Sequence, residues 1–193
     1  MLFPPPAAPP RYCGKSTLDR LAALSGCLLL APLAAGIAVA TWLEDGGPPL
    51  FRQTRIGEGR RPFTVLKFRT YRGSRVTRLG GLLRRTGLDE LPQFINVWRG
   101  EMSVVGPRPL TAADIERLRW SDPALDWRFE MRPGITGVAQ LFGGRDAKYS
   151  RRLDRLYLRA QSLSLDTRLI ALSAAVNLLG KPRVRRWLRR ISV

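Results

Sequence analysis

The chain has 193 residues, enough for one domain with a sizeable core. Its 33 Lys and Arg outnumber 15 Asp and Glu, and the net charge of +18 indicates an anionic partner such as nucleic acid, acidic lipid or a phosphorylated small molecule. The absence of histidine excludes Ser-His-Asp and Cys-His catalysis, so chemistry must come from carboxylates, cations, backbone amides or a hard metal ion. Two thiols, Cys13 and Cys27, favour a reducing compartment over a disulfide framework.

The first predicted element is an apolar helix. It follows a proline-rich start, and residues 1–14 are expected to be disordered. The run 21–43 has 23 residues and no charge, enough to cross roughly 30 Å of hydrocarbon as a straight helix. A cleaved signal peptide would also have basic residues in front and a small-residue site behind, here Ala38–Ala40.

A third interpretation of this run is a re-entrant helix. Basic residues flank both of its ends, and the positive-inside rule therefore pulls both ends toward the cytoplasm. Pro32 removes one helical hydrogen bond in the middle of the run, so the helix can bend there and return to the side from which it entered. The hydropathy pattern alone leaves the signal peptide, the simple span and the re-entrant helix open.

The next predicted elements are a β-hairpin and two helices. Alternating apolar and basic residues predict strands over Leu50–Arg55 and Phe63–Phe68, and Arg78–Arg85 reads as a short amphipathic helix. Apolar residues at helical spacing then predict a helix over Leu88–Arg99, with Gly100 as its terminator.

A pair of adjacent carboxylates, Asp89 and Glu90, opens that last helix. Pro92 is tolerated only in the first turn of a helix, so the pair must lie at the N-terminus, where free amides and the helix dipole favour anions. Two ordinary N-terminal charges would look the same on this evidence alone.

Two later segments hold arginines on rigid turns. After a short predicted strand, Ser103–Val105, the sequence Gly-Pro-Arg-Pro fixes the backbone on both sides of Arg108. Residues 132–145 repeat the pattern, with Arg132 before Pro-Gly and Arg145 after a pair of glycines. A rigid guanidinium fork suits phosphate oxygens, so these arginines suggest phosphate chemistry beside the carboxylate pair.

The end of the chain is predicted to be helical. An apolar stripe at helical spacing runs over residues 165–179 and is most simply explained by core packing. Residues 181–193 combine an apolar face containing Trp187 with several arginines, which is typical of a membrane-surface helix, although an RNA-binding tail would look similar.

These segments together resemble a known family. The stretches KFRTY, RLGGLLRRTGLDELPQFINVWRGEMSVVGPRPL and RPGITGVAQ, preceded by a proline-interrupted apolar helix, resemble the bacterial sugar transferases, which are monotopic polyprenyl-phosphate phosphoglycosyl transferases. The likeness covers residues 15–180. It implies an α+β fold with a small, mainly helical catalytic domain (46–180) that carries a short β-hairpin. It also implies a proline-bent re-entrant membrane helix over residues 15–45.

The resemblance also implies a reaction. Asp89 would attack the sugar-bearing phosphate of a nucleotide diphosphosugar, usually a UDP-sugar, and release UMP. A polyprenyl phosphate would then take the phosphosugar from the aspartyl intermediate, as the first step of bacterial glycoconjugate assembly. Asp89 and Glu90 would bind Mg²⁺, and substrate phosphates would be bound by cationic residues, namely Lys67, Arg69, Arg108, Arg132 and Arg145.

The implied location is the cytoplasmic face of a bacterial inner membrane, with anionic lipids and a second copy of the chain as further candidate partners and with no nucleic acid.

The sequence departs from the family pattern in a short segment after Thr70, in Glu101 for the usual aspartate, in Ala31 before Pro32, and in Val138 for a common tryptophan. The short segment bears on which sugar is used. A membrane-anchored nucleic-acid-binding protein and a scaffold that has lost the chemistry are the alternatives.

Overall fold

The structure, a computed structural model, describes residues 12–142 and 147–179. The helices in these ranges are α1 (Lys15–Asp45), α2 (Arg78–Thr86), α3 (Gln93–Trp98), α4 (Ala112–Arg117), α5 (Val138–Phe142), α6 (Ala147–Ala160) and α7 (Leu163–Leu179). The strands are β1 (Leu50–Ile56), β2 (Pro62–Phe68), β3 (Tyr71–Arg72), β4 (Arg75–Val76), β5 (Ser103–Val105) and β6 (Gly134–Thr136). Short 3₁₀ turns cover Glu58–Arg60, Leu88–Glu90 and Pro123–Glu130. The expected mixture of helices with short strands is thus confirmed.

The strands form three small two-stranded sheets. Strands β1 and β2 pair antiparallel, with Leu50 opposite Phe68 and Ile56 opposite Pro62, which confirms the predicted hairpin. Strands β5 and β6 pair in parallel, with Ser103 opposite Gly134. This second pairing brings together two turns that lie far apart in the sequence, the one that carries Arg108 and the one that follows Arg132.

The parallel pair β5–β6 needs glycines because its flanking turns approach very closely. A Cβ added to Gly134 would lie 2.1 Å from the backbone nitrogen of Gly106. One added to Gly137 would lie 2.1 Å from the carbonyl oxygen of Gly106. Any side chain at either position would clash with backbone, so these glycines fix the distance between the two turns.

Among the described residues, the buried apolar side chains form three hydrophobic clusters. The largest packs β5 against the helices of the second half of the chain, with Trp127, Tyr157 and Leu158 among its buried members. The second joins Ala23 of α1 to strand β2 and helix α3, and the third joins Ile37 of α1 to Phe68 and Leu83. Helix α1 therefore belongs to two of the three clusters.

Helix α1 is the apolar helix predicted near the N-terminus, and it continues through Pro32 from Lys15 to Asp45. Within the described residues it is the one helix long and apolar enough to cross a membrane, and only 11% of its most apolar window is buried. Leu28, Leu29 and Leu43 are each more than two-thirds exposed. A bend at Pro32 and the re-entrant path remain predictions.

The start of the chain differs in part from the expected disorder of residues 1–14. Cys13 and Gly14 form a turn that leads into α1, and the hydroxyl of Tyr12 donates a hydrogen bond to Asp166 Oδ2 over 2.9 Å. The earlier residues, Arg145 and the predicted amphipathic tail over 181–193 lie outside the described residues.

The predicted helix over Leu88–Arg99 is two elements. A 3₁₀ turn carries Asp89 and Glu90, and α3 begins only after Pro92, because this residue has no N–H to donate to a preceding carbonyl. Gly100 ends the segment with φ of 77°, as predicted. The carboxylate pair thus lies on a separate turn that precedes α3.

Candidate active site

A cavity of about 930 Å³, which we call the Asp89 cavity, contains both carboxylates. One wall is a face of the β-hairpin, and the others are the 88–90 turn, the turn that carries Arg108, the β6–α5 segment and the end of α7. The hairpin contributes Phe51, Gln53, Arg55 and Lys67 from one face, as the strand period allows, and Phe68 and Arg69 line the cavity where β2 ends.

The carboxylate of Asp89 is partly buried, accepts a hydrogen bond from its own backbone N–H, and has no hydrogen bond or ion pair with another described residue. Burial raises the pKa of Asp89 above its ordinary value, and the neighbouring negative charge of Glu90 raises it further. The cations Lys67 and Arg84 oppose this shift. An ionised carboxylate without a partner has its lone pairs available for attack on an electrophile.

Glu90 has a different environment from its neighbour. The ammonium group of Lys67 on β2 lies 2.5 Å from Glu90 Oε1. Gly87, in the left-handed conformation with φ of 74°, reverses the chain between α2 and the turn, so that Glu90 faces the hairpin. The hairpin therefore neutralises one carboxylate of the pair and leaves the other unpaired.

The backbone of the turn that carries Arg108 is held in place by a buried arginine. The carbonyl of Arg108 accepts a hydrogen bond from Nη2 of Arg128 over 2.7 Å, and Arg128 is buried and paired with Asp154 at 3.0 Å. The side chain of Arg108 is exposed toward the Asp89 cavity. The backbone of this turn is thus fixed while the guanidinium is exposed, and its role as a phosphate-binding fork stays a prediction.

The other predicted phosphate-binding residues divide into three groups. Lys67 and Arg69 line the Asp89 cavity, but Arg69 also makes a bidentate ion pair with Asp45 at the end of α1. Arg132 does not line this cavity, contrary to the grouping made from sequence, because its Nε pairs with Glu58 Oε2 at 3.2 Å on another face. Arg145 lies outside the described residues.

Sequence reasoning missed several residues of the cavity. Arg55 and Gln53 share the hairpin face with Lys67, and the alternation along the strand could have shown this. Arg84 on α2 and Asn177 on α7 reach the cavity through packing between elements. The side chain of Asn177 lies so near Gly87 that a Cβ there would be 2.4 Å from its Nδ2. No local pattern indicates that contact.

The carboxylate pair is compatible with Mg²⁺. Among the described residues no group of three or more His, Cys, Asp and Glu side chains could hold a metal. Mg²⁺, however, is commonly bound by one or two carboxylates together with substrate phosphates and water. Asp89 offers both carboxylate oxygens and Glu90 offers one oxygen beyond the ion pair with Lys67, so the residues fit this mode.

Comparison with known proteins places the chain in a family. The family model for bacterial sugar transferases matches residues 10–180, and the chain therefore belongs to this family. It is 39% identical over 175 residues to a UDP-glucose:undecaprenyl-phosphate glucose-1-phosphate transferase of Escherichia coli. The aligned region covers 80% of this chain and 38% of that protein. A Caulobacter vibrioides protein with the same name is 46% identical over 145 residues, covering 68% of this chain and 54% of the relative.

A shorter relative matches over most of its length. The exopolysaccharide production protein PSS of Rhizobium leguminosarum is 38% identical over 184 residues, covering 81% of this chain and 90% of the relative. The chain thus spans only 38% and 54% of the E. coli and C. vibrioides relatives but most of the Rhizobium one.

Proposed function

We propose that this chain transfers a phosphosugar from a UDP-sugar to a polyprenyl phosphate and releases UMP, as the initiating step of a bacterial glycoconjugate such as an exopolysaccharide. Membership of the family and the names of its relatives support the reaction class. The observation that carries the mechanism is the unpaired Asp89 carboxylate in a cavity lined by cations.

The first step is nucleophilic attack at phosphorus. A carboxylate oxygen of Asp89 bonds to the sugar-bearing phosphorus, and the bond from that phosphorus to the bridging oxygen of the diphosphate breaks. The electron pair of the broken bond leaves with UMP. The product is an acyl phosphate in which the phosphosugar is attached to Asp89.

The second step regenerates the carboxylate. A phosphate oxygen of the polyprenyl phosphate attacks the same phosphorus, and the bond to Asp89 breaks with its electron pair returning to the carboxylate. The product is a polyprenyl diphosphosugar, and neither step consumes a net proton. This is consistent with a site in which no histidine is present to act as a base.

The cations of the cavity stabilise charge during both steps. A carboxylate and a diphosphate repel each other, and negative charge spreads over the phosphoryl oxygens in the transition state. Lys67, Arg84 and Arg108 surround the place where this charge develops. Asp89 and Glu90 would hold Mg²⁺, which would further neutralise the diphosphate when bound.

The acceptor is a lipid, and α1 is suited to bring the site to the membrane. Its 31 residues would measure about 46 Å if straight, longer than the roughly 30 Å of hydrocarbon. Yet both ends contact the same domain: Asp19 accepts hydrogen bonds from Ser103 and Val104, and Asp45 pairs with Arg69. A helix held at both ends by one body supports a re-entrant path, with the domain on the cytoplasmic face of the inner membrane.

Release of UMP tests this function directly. The purified chain in detergent or nanodiscs is incubated with Mg²⁺, a polyprenyl phosphate and each of a series of UDP-sugars, and UMP is measured. We expect release with at least one sugar and dependence on the polyprenyl phosphate for multiple turnovers. Salt-sensitive binding to arbitrary DNA without release from any sugar would instead support the nucleic-acid-binding alternative.

A further inference from the structure

A second, small cavity lies against the Asp89 cavity and shares Arg55, Lys67, Glu90 and Arg108 with it. We call it the Gln93 niche, after the buried glutamine that lines it. Its volume is about 20 Å³, close to the space that one water molecule or one bound oxygen atom needs. The niche is therefore large enough for a single atom of a substrate group and too small for a sugar or a base.

Two residues that line the niche carry buried donors with no hydrogen-bond partner. Nε2 of Gln93 is one, and the Gln93 side chain is 2% exposed. Nε of Arg55 is the other, although the remaining nitrogens of this guanidinium are used: Nη1 donates to the carbonyl of Pro109 and lies 3.5 Å from Asp114 Oδ2, and Nη2 donates to Gln53 Oε1. Buried N–H groups are almost always paired, so two unpaired donors at one small cavity indicate a missing acceptor.

The charges around the niche indicate that this acceptor is anionic. Burial lowers the pKa of the Arg55 guanidinium, and the nearby positive charge of Arg108 lowers it further, while the carboxylates of Asp114 and Glu90 oppose this shift. The nearby Lys67 is already paired with Glu90. A negatively charged oxygen in the niche would be attracted to both arginines and would offer an acceptor to the unpaired donors that line it.

We infer that the Gln93 niche binds one anionic oxygen of a substrate phosphate group, with Gln93 and Arg55 as binding residues. This inference rests on the proposed function, because it assumes that phosphates enter the Asp89 cavity. The oxygen has two candidate sources, the phosphate of UMP within the nucleotide sugar and the phosphate of the polyprenyl acceptor. Both present the same chemistry to the niche.

Gln93→Met tests the inference because it separates binding from stability. Methionine keeps the length of the side chain and removes the unpaired donor, so the melting temperature should hold or rise. A hydrogen bond to a charged group is strong, so we expect about 10-fold weaker binding of the ligand that occupies the niche. Binding of UMP and binding of farnesyl phosphate are measured separately by calorimetric titration. The ligand whose affinity falls in the variant is the one whose phosphate oxygen occupies the niche.

A matched control is Gln161→Met. The amide of Gln161 donates to the carbonyl of Leu158 over 3.2 Å, away from both cavities, so neither affinity should change. Gln93→Glu is the second variant, and its added negative charge should further lower the affinity for the same ligand. This variant also tests whether the niche binds an anionic oxygen if Gln93→Met does not fold.

Unchanged affinity for both ligands in the folded Gln93 variants would overturn the inference and leave the niche to a water molecule. Failure of the wild-type chain to bind either ligand would overturn it as well. The proposed function fails separately, when the wild-type chain binds UMP or farnesyl phosphate but releases no UMP from any UDP-sugar.

Discussion

The ammonium group of Lys67 lies 2.5 Å from Glu90, whereas the preceding residue, Asp89, makes no ion pair or hydrogen bond with another described residue. Two adjacent carboxylates therefore have different electrostatic environments. Glu90 is held by the hairpin, and Asp89 keeps its lone pairs available. This difference supports the proposal that Asp89 is the nucleophile and that Glu90 has a supporting role.

Replacing Asp89 with asparagine should abolish turnover and at the same time stabilise the fold. The amide cannot attack phosphorus, so we expect a loss of ~10⁴-fold or more in UMP release and no covalent adduct by intact mass. Because folding raises the pKa of Asp89, its stabilising contribution is present at low pH and is lost as the pH rises and the carboxyl ionises. Removing that charge should raise the melting temperature at pH 7.

Asp126→Asn is the control for the expected loss of turnover and rise in melting temperature. Asp126 is exposed and pairs with Arg60 away from the cavity, so turnover should stay near the wild-type value. A phosphosugar adduct that persists in Asp89→Asn would contradict the assignment of the nucleophile.

The rate of adduct formation should fall at acid pH, with its midpoint above the ordinary aspartate pKa of about 3.9. The attacking group must be ionised, and burial and Glu90 both raise the pKa of Asp89. Since Lys67 lowers that pKa, Lys67→Met should move the midpoint to higher pH. Quenched single-turnover reactions analysed by mass spectrometry across about pH 4–8 measure the midpoint.

Arg52→Met is the comparison for Lys67→Met. Arg52 is an exposed strand residue on the opposite face of the hairpin from the cavity. Its loss should therefore leave the acid midpoint of the rate of adduct formation unchanged. An acid midpoint that moves to lower pH in Lys67→Met would show that a group other than Asp89 controls the rate.

Glu90→Gln should weaken the dependence on Mg²⁺. The variant loses one of the two carboxylates that would hold the ion, so the Mg²⁺ concentration for half-maximal UMP release should rise by about 10-fold or more, and excess Mg²⁺ should restore part of the activity. A chelator should abolish wild-type activity until Mg²⁺ is added back. An identical Mg²⁺ titration in Glu90→Gln and wild type would exclude Glu90 from the ion site.

Arg108→Lys and Arg132→Lys should behave differently, although both replace an arginine on a Pro-flanked turn. Lysine at 108 loses the planar fork that faces the Asp89 cavity, and we expect roughly 10- to 100-fold lower kcat/KM. Arg132 pairs with Glu58 outside the cavity, so lysine there should change kcat/KM by less than about 3-fold, within the range of weak surface pairs. Equal losses in the two variants would place Arg132 in the phosphate site.

Both ends of α1 should be accessible from the cytoplasmic side. Cysteines at Thr17 and Pro48, both exposed, serve as reporters in a chain whose Cys13 and Cys27 are replaced by serine. Membrane-impermeant reagents should label both only after the inner membrane is opened. Labelling of position 48 in intact spheroplasts would show a span instead. Pro32→Leu restores the missing hydrogen bond and should convert part of the population to such a span.

Local pattern was sufficient for the elements and for the reactive pair. The hairpin followed from alternation along 50–68, the apolar helix from its length without charge, and the end of α3 from Gly100. Pro92 predicted that Asp89 and Glu90 lie near the start of a helix, but the pair lies on a separate 3₁₀ turn before α3, and not in the first turn of one continuous helix. Each of these features depends on residues within a few positions of one another, where backbone geometry and side-chain period act directly.

The make-up of the site depended on packing between distant segments. Arg132 and Arg108 each stand directly before a proline, yet Arg132 pairs with Glu58, 74 positions away, and lies outside the cavity. Asn177 reaches Gly87, and the two ends of α1 are tied to β5 and β2, only because the hydrophobic clusters bring those elements together. The sequence by itself determined which groups could react. Which of them share one cavity was decided by tertiary structure, since contacts across the core follow from burial of apolar surface and have no local spacing.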